Sequence, residues 1–591
     1  KALLLGGLLI LPYSLVGQDL YRYTEDPVAG NIIALGYPVP IPVDSTLPVD
    51  AFRSYNSLFA RHQDLSLQHN FIQAQMVGQT LDGREIWAYL LSDLDRTTRN
   101  AGAESSALVI GGVHAREWAS PELTTGLIEA YAEQAGDQHL YDYLIENVSF
   151  TVLPVTNVDG FLQTQRYPTE VLIGRDPRVV SWPRDGRMRR KNMNNADEFL
   201  LTTNDHLSGV DLNRNNTPFF ASNGGSSSNP QELIYHGTAA FSEPETQAIL
   251  ATAEWAIPER LRWYQDSHSF SQVFFSKHTF NSRRNRIQDL LLATYRRVHS
   301  GLSVERHGVP RIYRDLPDPA GEGIGVTAEY FAYTYEIPSW TLEIEPANGG
   351  EDYGGFGANH DGFVLPESEV NRMRTDMAIT HAVVTYKQAG PPSIQRVQII
   401  NDRNDVVYSA QWNYSQHGQR ALLTEQLEAL LPGFDYTMIV TFDKPMRWAA
   451  NDGPALAPGL NTVPFDPVVR ILDTDSQSLA INPSNGQWLG MPGTNEAFLN
   501  YRYDSFQMAF TVPTNLDLAE TTALRLSIDA EDFTGQSLDA NPATVVDWVN
   551  GSWSGYEDQN GIAGDAGGRD TSLSVDVSTQ GLIRSWLRRR R

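Results

Sequence analysis

The stretch that most constrains the fold is Ser106 to Glu122, which reads SALVIGGVHAREWASPE. An apolar run rich in β-branched residues, stopped by Gly111 and Gly112, describes a buried strand that gives out just before His114. Ser120 followed by Pro121 reads as an N-cap with proline at the first helical position, opening a helix to about Glu133. Strand, short turn and helix in that order form a unit of an α/β sheet, and such sheets bind ligands in the crevice at the carboxyl ends of their strands. His114 and Glu117 fall in that crevice.

An imidazole and a carboxylate separated by two residues can converge on one metal ion, but a catalytic site needs a third protein ligand and an open position. A second strand offers one: the aromatic-led run from Arg262 ends in His268 and a polar turn, Ser269-Phe270-Ser271-Gln272. Alone, His-x-x-Glu reads best as a surface pair. Two strand ends that each carry a histidine are far harder to explain that way. The chain has no cysteine, so disulfides and thiolate ligands are excluded and a metal must be held by nitrogen and oxygen. A third motif, Ser339 to Glu345, reads as a buried strand whose period of two puts Glu343 and Glu345 on one face.

Taken in order, HAREW (114–118), DLNRN (211–215), SHSFSQ (267–272) and WTLEIE (340–345) resemble the motifs of the zinc metallocarboxypeptidases of the A/B type. The resemblance covers residues 50–390 or so. It implies one zinc ion on His114, Glu117 and His268, with Glu343 as the general base and Glu345 as second choice. It further implies that Asn213 and Arg214 hold the carboxylate of a peptide C-terminus, and that Arg190 faces the scissile carbonyl. Arg116 then lies on the substrate side, and Tyr313 is the tyrosine that closes over the terminal residue. The pocket for the terminal side chain is expected along Gly323 to Glu329, with Ala328 at or near the position that tells apolar from basic preference; the neutral Ala328 has Glu322 and Glu329 close by, which leaves the preference open. Without the other motifs, Arg189 to Lys191 would read as a plain charge run.

The rest of the chain frames this region. At 591 residues it is too long for one ordinary core. Residues 1–17, with Lys1, an apolar stretch to Leu11 and small residues after Pro12, read as a secretory signal peptide and point to an exported, periplasmic or secreted protein. Residues 18–48 read as an extended, proline-rich lead-in. Between 49 and 390 the expected fold class is α/β, a mixed central sheet flanked by helices and carboxypeptidase-like. Its elements include a helix through Phe52, Tyr55, Leu58 and Phe59, a hairpin turning at Leu81 to Arg84, strands at 106–113, 148–155 and 262–268, and a helix over 287–299. Residues 162–187 read as an irregular insertion. After Gly390-Pro391-Pro392, residues 391–591 read as a β-sandwich region, in one or two small domains, ending in a basic tail. Asp473-Thr474-Asp475 reads as an exposed acidic turn rather than a calcium site.

The formal net charge of -26 argues against nucleic acid and anionic membranes as partners. The expected partners are peptide or protein C-termini, without stable membrane insertion, and the C-terminal region is a candidate for binding an unidentified surface or polymer. Two rival readings stand beside an exopeptidase. One keeps fold and metal but acts on peptidoglycan stem peptides or polyglutamate; the other is a non-catalytic binding relative, which the presence of all five of His114, Glu117, His268, Arg190 and Glu343 counts against.

Overall fold

The computed structural model describes residues 41–49, 51–97, 104–137, 140–167, 186–198, 208–256, 261–317, 323–348, 361–363, 365–389, 392–414, 420–446, 468–472, 478–481, 484–489, 505–512, 521–527, 544–547, 552–555 and 572–578, with isolated positions at 514, 530, 532 and 538. The signal-like stretch, most of the lead-in, most of the 162–187 insertion, Glu322, the 473–475 turn and the basic tail lie outside the described residues.

The first part of the chain folds as α1 (Tyr55–Gln68), β1 (Ile72–Gln79), β2 (Glu85–Leu91), β3 (Ser105–Ile110), α2 (Ala119–Gln134), α3 (Leu140–Asn147), β4 (Val148–Leu153) and α4 (Val158–Arg166). It continues as α5 (Pro244–Trp255), β5 (Leu261–Ser269), β6 (Val273–Ser276), α6 (Ser282–His307), β7 (Arg314–Asp315), α7 (Thr327–Tyr335), β8 (Ser339–Ile344) and α8 (Glu367–Ala389). The eight strands form one sheet in the order β1-β2-β4-β3-β5-β8-β6-β7. Its centre, β4-β3-β5-β8, is parallel; β1 and β2 run antiparallel to their neighbours, and β6 is antiparallel to β8 but parallel to the edge strand β7. The mixed sheet flanked by helices is therefore present.

Every residue of β3, β4 and β5 is buried, as expected where helices cover both faces. Alternation along β5 sorts its side chains. Trp263 stacks on Trp340 with ring centroids 5.2 Å apart and lies 6.2 Å from His381 of α8. Tyr264 instead stacks on Phe331 of α7 at 3.8 Å. So α8 covers one face and α7 the other. The Trp263–Trp340 pair is worth about 1 kcal/mol beyond the burial of its area, and Trp340 Nε1 donates to Gln265 Oε1 at 2.9 Å, whereas the buried Trp263 Nε1 has no hydrogen-bond partner.

The turn between β3 and α2 explains the two glycines. A Cβ on Gly111 would lie 2.9 Å from Thr124 Cγ2, and Gly112 has φ +64° with Val155 Cα 3.1 Å from where its Cβ would be. Any side chain there would push the His114 turn off the strand below it. The helix starts earlier than the Ser-Pro pattern suggests, at Ala119 with Trp118 at the cap position. Ser120 does not cap it. Its hydroxyl donates to Glu117 O at 2.9 Å and accepts from Gly112 N at 3.0 Å, binding the turn to itself. Phe52 is also outside its expected helix: α1 begins at Tyr55 with Ser54 as N-cap, and the Phe52 ring packs edge-on against Trp118 at 5.7 Å. The expected hairpin is present, turning through Gly83 at φ +77°. α6 extends well beyond the expected span on both sides, ending on Gly308 at φ +73°, and α4 occupies the first part of the expected irregular insertion.

Past α8 the described residues form a six-stranded antiparallel sheet in the order Arg420–Gln426, Val406–Tyr414, Ile394–Ile400, Asp435–Phe442, Ser505–Thr511, Ser484–Trp488. A four-stranded and a two-stranded antiparallel sheet accompany it. The change from α/β to all-β falls where the sequence turns to Gly-Pro-Pro.

Candidate active site

His114 and His268 meet because β3 and β5 are adjacent parallel strands, with Ile110 paired to Asp266. His268 Nδ1 lies 2.9 Å from His114 Nδ1 and 2.8 Å from Glu117 Oε2, and His114 Nδ1 lies 2.9 Å from Glu117 Oε1. The three residues are 0–3% exposed. Among the described residues they form one of two groups whose donor atoms are close enough to hold a metal; the other, Asp93, Asp95 and Glu104, is partly exposed.

The far edge of each ring is fixed by a carboxylate. His114 Nε2 is 3.0 Å from Asp211 Oδ1, and His268 Nε2 is 2.8 Å from Asp266 Oδ2. Both imidazoles therefore turn Nδ1 inward, the orientation that a ligating histidine takes when a carboxylate accepts its other N–H. Two inward nitrogens and a carboxylate oxygen, without sulfur, suit a catalytic zinc site that leaves a position open. Burial by itself would raise the Glu117 carboxyl, but the two imidazoles outweigh it and hold the group well below the usual carboxylate range.

Asp211 is a hub that sequence reasoning passed over, although it sits inside the DLNRN motif. Its Oδ2 accepts from Arg190 Nε and Nη2, both at 3.0 Å, while Oδ1 also accepts from Asn213 N at 3.1 Å. Burial, which would raise it, is overcome by Arg190 and Arg214, so its carboxyl stays well below the ordinary value. The same pair holds Arg190 charged against its own desolvation.

Arg116 is partly buried with its guanidinium 4.8 Å from the Phe363 ring, and burial followed by the nearby Arg190 cation pulls it down to about 10. The charge run ahead of Arg190 is not solvated. Arg187 is fully buried over the Trp118 ring at 3.7 Å, donating to Arg116 O at 2.9 Å and Phe363 O at 2.8 Å. It ties the His114 turn to residues 361–363.

Asn213 and Arg214 lie on a short 3-10 turn, Leu212–Arg214. Asn213 Oδ1 accepts from Thr327 N at 3.0 Å, and its Nδ2 is 3.4 Å from His268 Nε2. Arg214 donates to Gly225 O at 3.0 Å and to Asn213 O at 2.6 Å, under Gly323.

Glu343 pairs in register with His268 and so faces the same side of the sheet as the cluster. Glu345 does not share that role, because β8 ends at Ile344. Its buried carboxylate bonds to Arg372 of α8 and lies 3.6 Å from Arg311. The two-residue alternation held only as far as the strand did. Tyr313 does not face the cluster either. It is 3% exposed, with its ring 5.6 Å from Phe274 and 5.2 Å from His299. Phe274 pairs with Leu342, so this packing is on the face opposite Glu343.

A family model described as zinc carboxypeptidase matches residues 63–379. Carboxypeptidase O of Bos taurus is 27% identical over 260 residues, 44% of this chain and 59% of that protein. Carboxypeptidase B of Astacus astacus is 24% identical over 337 residues, 54% of this chain and 91% of that one. The chain thus spans well under two thirds of the bovine relative. A crystal structure of thrombin activatable fibrinolysis inhibitor covers 59% of this chain and 77% of its own, at 20% identity and a TM-score of 0.44. Since the model match takes in more than half of the 591 residues and contains all three inward-facing donors, the chain belongs to the zinc carboxypeptidase family.

Proposed function

We propose that the protein is an exopeptidase that removes single residues from the free C-termini of peptides, with one zinc ion held by His114, Glu117 and His268. The observation that carries the reading is the pair of inward Nδ1 atoms and the Glu117 carboxylate, all within 2.9 Å of one another and each ring braced from behind by an aspartate. When bound, zinc supplies a Lewis acid and an acidified water at neutral pH.

The remaining chemistry belongs to the chain. Arg214 and Asn213 take the terminal carboxylate, for which the planar guanidinium fork is suited. Arg190 spends two N–H groups on Asp211, which aims the rest of its fork at the scissile carbonyl as negative charge develops on it. Arg116 adds positive potential from the same side. Glu343, paired beside His268 and within the field of Arg116 and Arg190, takes the proton from the attacking water and returns it to the leaving amine. A closing role for Tyr313 requires its ring to leave the Phe274 and His299 packing.

The apolar N-terminal stretch supports export, and no described helix is long and apolar enough to cross a membrane. In the C-terminal region the alternating burial of Asp435–Phe442 and Ser505–Thr511 supports a sandwich-like arrangement in which one sheet face is covered.

The test is to incubate purified protein with peptides bearing a free or an amidated C-terminus, with and without a chelator. Chelator-sensitive release of one residue from the free-acid peptide alone is expected. Equal cleavage of the amidated peptide removes the role given to Arg214, and cleavage indifferent to chelation removes the metal mechanism.

A further inference from the structure

We propose that Asp93, Asp95 and Glu104 form a second metal site, apart from the zinc centre, which takes a calcium ion and clasps together the ends of β2 and β3. The site is independent of the exopeptidase reading, since its ion acts on the stability of the fold and not on the reacting peptide.

The topology brings the three acids together. Asp93 follows the end of β2 at Leu91 and Glu104 precedes β3 at Ser105, yet β4 lies between those two strands in the sheet. The connection from β2 to β3 therefore crosses the end of β4. Glu104 and His114 stand before and after β3, so the two sites are at opposite ends of a strand about 20 Å long. One carboxylate oxygen of each acid lies within 4.8 Å of one from each of the others. Two Ca–O bonds placed end to end span about 4.6–5.2 Å, so oxygens disposed in this way can share one calcium ion. The set is oxygen alone, without imidazole or thiolate, which suits a hard cation and not zinc. Asp95 is exposed and Asp93 half-buried, so an ion enters from solvent with Glu104 at the base.

Glu104 separates this group from an ordinary acidic turn. It is 0% exposed. Its Oε2 accepts from Ser92 Oγ at 2.8 Å and from Ser149 Oγ of β4 at 2.5 Å, while its Oε1 is buried without a donor. With Oε2 held by two hydroxyls, Oε1 is the oxygen left for an ion. Among the described residues no cationic side chain pairs with Asp93, Asp95 or Glu104. Arg96, in the same connection, is engaged elsewhere: it donates to Trp255 O at 3.1 Å, with its guanidinium 5.8 Å over the Trp255 ring. Burial pushes the Glu104 carboxyl up to about 7 against the two hydroxyls, and the Asp93 and Asp95 charges push the same way. A buried carboxylate oxygen without a donor, beside two further carboxylates, is costly, and a divalent cation is the group that relieves all three at once.

The full chain, loaded with zinc so that the His114 centre is filled, is melted in calcium-free buffer and again with CaCl2 or MgCl2 at matched ionic strength. Calcium at about a hundredfold excess over its dissociation constant is expected to raise the melting midpoint by about 5–11 °C. Magnesium is expected to give a smaller shift, because it demands shorter bonds and a regular octahedron. Glu104→Gln keeps an oxygen for the two serine hydroxyls but removes the charge, so it is expected to melt no lower than wild type without calcium and to lose the calcium shift. If that variant does not fold, Asp95→Asn at the exposed rim decides: its calcium affinity, from calorimetric titration, is expected to fall at least about tenfold. A wild type indifferent to calcium means that a proton alone neutralises Glu104, and it overturns the proposal. Equal shifts from calcium and magnesium overturn it as well, as does a calcium response that survives unchanged in the variant. Nothing is read from turnover, so the result stands apart from that of the peptidase assay.

Discussion

Asp211→Ala is the substitution whose effects follow most directly from the geometry. One carboxylate at 0% exposure accepts from His114, from the Asn213 amide and from two nitrogens of Arg190, so its removal acts on metal binding and on stability at once. Loss of the carboxylate behind a ligating histidine typically costs about 10- to 100-fold in metal affinity, or about 1.4 to 2.7 kcal/mol. Leaving one member of a buried ion pair alone costs about 3–5 kcal/mol. The Arg190 side chain is 15% exposed and recovers some hydration, so the low end, about 3 kcal/mol, is expected. At about 2–4 °C per kcal/mol for a large domain, the melting midpoint of the zinc-free protein should fall by about 6–12 °C. Zinc affinity is read by competition with a chromophoric chelator, and stability by thermal melts of metal-free wild type and variant. Asp211→Asn should fall between, because its amide can accept from only one of the two donors and sets an N–H against the other. Zinc affinity within twofold of wild type, together with an unchanged melt, refutes the claim that Asp211 holds both partners in place.

Further outcomes follow from other contacts. Glu343→Gln should lower kcat about 100- to 10,000-fold with zinc content unchanged, while Glu345→Gln should instead lower the melting midpoint through its lost bond to Arg372; the assignment is reversed if the two phenotypes are exchanged. Gly323→Ala should raise KM for free-acid peptides about tenfold with zinc retained, because φ is +117° there and the new Cβ would lie 2.6 Å from the Arg214 guanidinium; an unchanged KM means that Arg214 does not touch the substrate. Burial pushes Glu245 up to about 8, against the opposing bond from Asn192, so its ionisation destabilises the fold as pH rises. Stability from this group is full below its unfolded value near 4.5 and is lost as pH climbs through about 8. Glu245→Gln should therefore gain stability over wild type between pH 5 and 8, by up to about 4 kcal/mol, and urea midpoints that track wild type across that window contradict the shift.

What could be read from the sequence was whatever depends on neighbours along the chain. The β3 run, its two stopping glycines and the His114 turn are local, and the paired strand-end histidines already implied a shared ligand set. What could not be read depends on distant partners. Asp211 reaches back 97 residues to His114, and Arg187 forward 176 residues to Phe363 as a buried strap; Arg189 and Lys191, which read as a plain charge run, are buried as well. Choosing between Glu343 and Glu345 needed the end of β8, which a two-residue period alone does not give. Tyr313 carried only a motif match, and its packing against Phe274 and His299 is a tertiary fact. Ser120 shows a smaller failure of the same kind: a good capping residue was taken up by a bond to Glu117 O instead.

The neighbouring positions of β3 and β5 have a consequence for how such a site tolerates change. The grip on the ion derives from the backbone ladder, whose rungs are about 4.8 Å apart, and not from the 154 residues that separate the two histidines. Outside the His114 turn and the Asp211 brace, the turns and helices inserted between those strands can therefore lengthen or shrink without detuning it. A one-residue slip within β5 is a different matter: it would rotate His268 to the Trp263 side of the sheet, and the centre would be lost in a single step.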